Sequence, residues 1–175
     1  MNNEEKVKQV FQFKDRESWI QALQNEPNEG WVKERALGGG KTSHYVPLPI
    51  QQALADKFFR ECDVVEEKYM VIVNEILCTV KICILPDYPD SEHRYITGTG
   101  AKPIQQDKGS FASSFPNGKK TNATEYNAPA SRSAGISNAF TTFANIFGRN
   151  LSREIKTGFS FIRNKEENGT ENSTK

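Results

Sequence analysis

"VVEEKYMVIVNEILCTVKICIL", residues 64–85, decides the fold. Its second half places Ile76, Cys78, Val80, Ile82 and Ile84 in strict alternation, the period of a strand with one face buried and the other in water. The first half is as rich in β-branched residues, which pack well on a pleated surface. Asn74 and Glu75 between the halves mark a turn or a bulge, so the stretch reads as two strands. Beyond the turn "PDYPDSEH" (86–93), "RYITGTGA" (94–101) reads as a further strand, whose Gly98 and Gly100 suggest that another backbone comes close.

Helices flank these strands. "DRESWIQALQNE" predicts a short helix over about 15–25, with Trp19, Ile20 and Leu23 on one side and acidic residues early, where the helix dipole favours them. A hairpin is expected from 31–37 and 42–47, then a helix over 49–61, "PIQQALADKFFRE", opened by a proline tolerated in the first turn. Residues 103–127 are polar and broken by glycine and proline, a loop of a length that is functional or disordered. The spacing of Ile136, Phe140, Phe143, Phe147 and Leu151 predicts a long helix over 128–151 with one apolar stripe. Gly135, Ala139 and Ala144 are small enough to let it lie close to a sheet. The expected class is therefore α+β: a hairpin, a helix, a three-stranded antiparallel sheet and a long C-terminal helix packed on it. Residues 1–30 form an N-terminal helical segment, 31–153 the core and 154–175 an extension, disordered from about 166.

The 175-residue chain is about one domain long and can bury a core. It contains no run of the roughly 20 apolar residues that a membrane span needs, and its N-terminus has no apolar leader, so secretion is not expected. Cys62, Cys78 and Cys83 lack metal-ligand spacing and read as buried free thiols of a reducing compartment. The net charge is only +1, yet it is unevenly spread. Residues 61–100 hold three basic and eight acidic residues, whereas 101–165 hold ten basic and three acidic. Such separation fits a molecule with one positive face, although solvated loops would give the same count.

"RALGGGKTSHYV" (35–46) ends in the Gly-Lys-Thr of a phosphate-binding loop. Arg35 stands where that motif has its first glycine, and "SHYV" reads as a strand where the motif opens a helix. Three glycines between strand-like segments suit a hairpin turn, since glycine reaches positive φ without steric cost. Lys41 then needs a role other than holding a nucleotide.

Three strings resemble the annealing core of the Rad-fifty-two superfamily, the single-strand annealing proteins that include phage recombinases of the Sak type. "WVKERALGGGKTSHYV" (31–46) is similar to the family's first hairpin, and "ICILPDYPDSEHRYITGTGA" (82–101) to its central strand pair. "ISNAFTTFANIFGRNLSR" (136–153) is similar to its long helix and the phage-type ending after Phe-Gly-Arg. The resemblance implies an ATP-independent protein that binds and anneals single-stranded DNA in recombination or repair. It further implies a ring or helical filament with DNA in a positive groove across subunits, and no cofactor. A phage or mobile-element protein in the bacterial cytoplasm, meeting a single-stranded DNA-binding protein, fits this setting.

Arg35 falls where the family has a groove arginine, and Lys33, Lys41, Arg132, Arg149 and Arg153 are further candidates for phosphate contacts. In the long helix the family commonly carries lysine and arginine where this chain has Ser137 and Asn138. Arg149 and Arg153 near a helix end also suit the helix dipole. In the loop, Lys119 and Lys120 accompany Phe111 and Phe115, and aromatic stacking on bases is worth about 1–3 kcal/mol per base. That loop could equally order against a neighbouring subunit. Tyr45, Tyr95 and Tyr126 are expected to be structural, and His44 and His93 form no evident ligand set. A non-annealing module that coats single strands or bridges replication proteins is the alternative function. An enzyme is not expected: Asp87 and Asp90 are a conceivable carboxylate pair, but no nucleophile or metal motif accompanies them.

Overall fold

The computed structural model describes residues 10–37, 39–109 and 117–151. Its first helix, α1 (Arg16–Gln24), starts where Asp15 Oδ1 accepts from the Ser18 amide at 2.8 Å and the Ser18 hydroxyl accepts from the Asp15 amide at 3.2 Å. This reciprocal cap satisfies two amides that the helix leaves open. A 3₁₀ turn (Glu29–Trp31) leads to the hairpin of β1 (Lys33–Ala36) and β2 (Thr42–Tyr45), and α2 (Leu48–Phe58) follows. Then come β3 (Phe59–Ile72), β4 (Glu75–Pro86), β5 (Arg94–Pro103) and α3 (Ala123–Phe143). The class is α+β, with β3-β4-β5 an antiparallel sheet, β1-β2 a separate two-stranded sheet and α3 packed on the larger one.

The alternation read in β4 is the buried face of this sheet: Ile76, Cys78, Val80, Ile82 and Ile84 are all at most 6% exposed. Gly98 and Gly100 pair with Val80 and Cys78, and α3 lies directly over them. A Cβ on Gly98 would overlap the Gly135 carbonyl and the Ala139 backbone, and one on Gly100 the Ser131 carbonyl and the Gly135 amide. The expected close approach is thus helix on strand. Below it, Trp19, Phe58, Phe59, Tyr88, Phe140 and Phe147 form an aromatic core. The Trp19 indole N–H donates to the Phe58 carbonyl at 3.0 Å, which lets the ring be buried without a polar penalty.

Several boundaries differ from those read in the sequence. The second helix ends at Phe58 rather than 61, because Phe59 and Glu61 pair with Pro86 and Leu85 and carry β3 back into the presumed helix. The expected loop 103–127 gives up its end to α3, which starts at Ala123 and not at 128. Pro129 inside it deprives the Glu125 carbonyl of a donor, but both residues are exposed, where water replaces the bond. The same helix ends at Phe143 and not at 151. Ala144 is extended, a 3₁₀ turn (Asn145–Phe147) follows, and Gly148 takes φ of 100°. This break turns Phe147 inward to stack on Phe140, with ring centroids 5.1 Å apart. Tyr45, Tyr95 and Tyr126, expected to be structural, are 39%, 59% and 64% exposed, whereas Tyr88 is the tyrosine in the core. Of the three thiols only Cys78 is fully buried. Burial pushes the thiol of half-buried Cys62 up to about 11.

Candidate nucleic-acid interface

The hairpin holds Arg35 up over α3. Gly39 and Gly40, with φ of 58° and 74°, make the turn, and the Leu37 amide donates to the Lys41 carbonyl at 2.8 Å to close it. Thr42 therefore opens a strand and no helix begins at the Gly-Lys-Thr string. The register sets Arg35 opposite Ser43 and Lys33 opposite Tyr45. Residues two apart share a strand face, so Arg35 and Lys33 lie on one side of β1, and the Arg35 guanidinium is 5.6 Å from the centroid of the Tyr45 ring.

Between this hairpin and α3 runs a cleft of about 490 Å³. Arg35, Ser43, His44 and Tyr45 line one wall, and Ser133, Ser137, Asn138 and Thr141 project from α3 on the other, at the three- and four-residue spacing of a helix face. Lys102 of β5 also lines it. The β4–β5 register explains why: Lys102 pairs with Ile76 and so shares the helix-side phase of Gly98 and Gly100, but it lies past the part that α3 seals. None of the described lining residues is acidic. Two cations thus face a polar, open channel whose field no carboxylate of the lining cancels, and charges within about 8 Å remain effective at physiological salt.

Hydrogen bonds tie the cleft's frame together. The Asn138 amide donates to the Thr99 carbonyl at 2.8 Å, tying α3 to β5. Beneath it, buried Gln51 of α2 donates through Nε2 to the Thr141 hydroxyl at 2.9 Å and to the Phe147 carbonyl at 3.0 Å. His44 of the cleft wall lies 3.0 Å from Glu34, which brings one carboxylate beside the lining.

Of the residues proposed from sequence, Arg35 lines the cleft. Lys33 and Lys41 are exposed on the same hairpin but outside its lining, and exposed Arg149 follows Gly148, which lines it. Arg132 projects from the opposite flank of α3, where it donates to Glu67 of β3 and borders a second cleft of about 400 Å³ with Asp56, Cys62 and Phe140. That hydrogen bond holds the Glu67 carboxyl below its usual range. Lys119 and Lys120 lie in the segment before α3, where Gln106 bridges to Lys119 and the Lys120 amide donates to the Gln105 carbonyl at 3.1 Å. They do not line the cleft. Phe111, Phe115 and Arg153 lie outside the described residues. Sequence reading missed Lys102, whose signal was its phase in β5, and noted Ser137 and Asn138 only as departures from a basic pattern.

No protein-family model matches the chain, and no curated protein matches it.

Asp87 and Asp90, the carboxylates singled out in the sequence, flank the turn after β4. Asp87 anchors the N-terminal segment, accepting from the Gln12 amide at 3.1 Å and lying 3.9 Å from Arg60, while Asp90 sits in a turn with φ of 57°. Among the described residues no group of three or more His, Cys, Asp or Glu is placed to hold a metal ion, and no helix is long and apolar enough to cross a membrane.

Proposed function

We propose that this protein binds single-stranded DNA and anneals complementary strands without nucleotide hydrolysis, in recombination or repair. The observation that carries this reading is the cleft between hairpin and helix, flanked by Arg35 and Lys102 and lined with hydroxyl and amide groups but no described carboxylate. Cations in its lining neutralise phosphates, and serine, threonine and asparagine supply donors to backbone oxygens without reading bases. An open channel of this kind leaves base edges free to pair. Copies assembled side by side would join short clefts into one track, and this assembly is part of the proposal. So are its setting, the bacterial cytoplasm as a phage or mobile-element product, and an encounter there with a single-stranded DNA-binding protein. The sparse charge of α3, with Ser137 and Asn138 in the cleft, favours a second reading in which strands are coated but not annealed.

The test is annealing of two complementary fluorescent oligonucleotides without ATP, with binding measured over a range of salt. Neutralising each phosphate contributes about 0.7 to the slope of log affinity against log salt for single strands. Arg35→Ala with Lys102→Ala is expected to abolish acceleration and lower that slope by about 1.4. A folded double variant that keeps the wild-type slope overturns the cleft as the DNA site. Binding without acceleration by the wild type establishes the coating reading.

A further inference from the structure

The second cleft, of about 400 Å³, lies on the other flank of α3 and is walled by α2 and β3. Its floor is apolar, with Ala55, Ile82, Ile136 and Phe140 each at most 5% exposed. Its rim carries two opposite charges in different states. Arg132 is engaged by Glu67, whereas exposed Asp56 of α2 has no hydrogen-bond or ionic partner among the described residues. A fitting occupant therefore brings an aromatic or aliphatic group for the floor and, beside it, a cation for Asp56.

The chain's own sequence supplies that combination. Residues 152–175 follow the last described residue, and their aromatic side chains, Phe159 and Phe161, stand with Ile162 directly before Arg163. Residues 1–9, which precede the first described residue, hold no aromatic. The path is short as well. A Cβ on Gly148 would touch both Leu151 and Val46, so Leu151 lies beside the start of α2. From there Leu48, Gln52 and Asp56, four residues apart, run along one face of α2 from the first cleft into the second, a rise of about 12 Å. The chain from Leu151 to Phe159 reaches up to about 26 Å when extended.

We propose that the cluster Phe159, Phe161 and Ile162 docks in this second cleft of its own chain, with Arg163 on Asp56, and so latches α2, β3 and α3 together from outside. The inference does not rest on strand binding, since it uses the flank of α3 away from the cleft proposed for DNA. Tethering makes a modest contact sufficient. A short linker holds the cluster at an effective concentration on the order of 1 mM, so a contact with a Kd on the order of 0.1 mM leaves the cleft uncovered about one-tenth of the time. Cys62 lines the same cleft and is half-buried, so the docked cluster covers its thiol.

The experiment reads that thiol in the full chain. Alkylation by iodoacetamide is followed by mass spectrometry of the Cys62 peptide, in wild type and in Phe159→Ser with Phe161→Ser. The double variant is expected to label Cys62 about tenfold faster, while fully buried Cys78 stays unlabelled in both and reports that the fold is kept. Arg163→Gln, which leaves Asp56 and the rest of the cleft in place, should accelerate labelling by less. A second measurement fixes the position. Under mild oxidation Phe161→Cys should link to Cys62 within the 19.7 kDa single chain and Asn168→Cys should not, because a disulfide needs its two Cα atoms within about 7 Å. Equal labelling of wild type and the double variant, a link between chains in place of one within a chain, or equal linking from positions 161 and 168 overturns the proposal.

Discussion

Hydrogen is the largest side chain that position 98 accepts. A Cβ there would meet the Gly135 carbonyl oxygen and the Ala139 amide and Cα, all backbone atoms that cannot rotate aside as a flexible side chain would. Gly98→Ala must therefore lift α3 from β5 or bend β5 away from it, and either opens the seal over Val80 and Cys78, which are fully buried. Overpacking of this kind costs about 1–3 kcal/mol and sometimes more. The upper end is expected here, about 3 kcal/mol, read as a lower midpoint in urea denaturation. A loss under about 1 kcal/mol would mean that the helix slides without penalty. Gly100→Ala should behave alike, since its Cβ meets the Ser131 carbonyl and the Gly135 amide. The same contact explains why the role of these glycines is legible in the sequence. In a strand otherwise rich in β-branched and aromatic residues, two glycines two apart lie on one face, and only close approach requires that.

Among the elements, those with a strong period were legible and those shaped by distant contacts were not. The alternation of β4 gave its buried face residue by residue, and Trp19, Ile20 and Leu23 on one side with acidic residues early gave α1. The end of α3 was misread because Phe147 continues the helical spacing. Its ring reaches the core by a different path, through extended Ala144 and the left-handed Gly148, and no local pattern reports that Phe140 and Phe59 wait for it there. The cleft was half legible for the same reason. Arg35 was a candidate through the resemblance of its hairpin, but Lys102 joins it only through the β4–β5 register and the position of α3. Gln51 is the clearest case of a residue that tertiary structure alone explains. It is buried in α2 and its amide bonds the Thr141 hydroxyl and the Phe147 carbonyl, joining the cleft's floor to the turn after α3. Gln51→Leu leaves both acceptors without that donor, and buried acceptors so deprived cost about 1–3 kcal/mol. The substitution also removes Gln51 Oε1, which is buried with no partner among the described residues, so a net loss of about 1–2 kcal/mol is expected in chemical denaturation. No loss at all would show that water replaces the amide.

Among the described residues, charge is divided by the sheet and helix into an acidic β3 side and a cleft whose lining carries no acid, and Arg132 stands on the acidic side. Its place allows two readings of one guanidinium, as a contact for DNA phosphate or as the tie between α3 and Glu67, and solution behaviour separates them. The Arg132 hydrogen bond lowers the Glu67 carboxyl from its ordinary value of 4.5, as the Lys68 hydrogen bond lowers Glu66 and the Ser18 backbone hydrogen bond lowers Asp15 from 3.8. A carboxyl depressed in the folded state binds fewer protons there than in the unfolded chain. Its contribution is therefore complete above the ordinary value and is lost as pH falls below it. Stability is expected to hold level down to about pH 5 and to decline below pH 4.5 as Glu67 and Glu66 protonate, with Asp15 following below 3.8. Arg132→Gln removes the cause of the Glu67 shift, so the variant should start less stable at pH 7 and lose less on acidification to pH 3. Glu67→Gln should flatten the same limb. Because Arg132 lies across α3 from the cleft, the same variant should leave the salt slope of single-strand binding unchanged. A slope lower by about 0.7, with the acid limb as in wild type, would instead give Arg132 to a phosphate and carry the DNA path around to the acidic side of the helix.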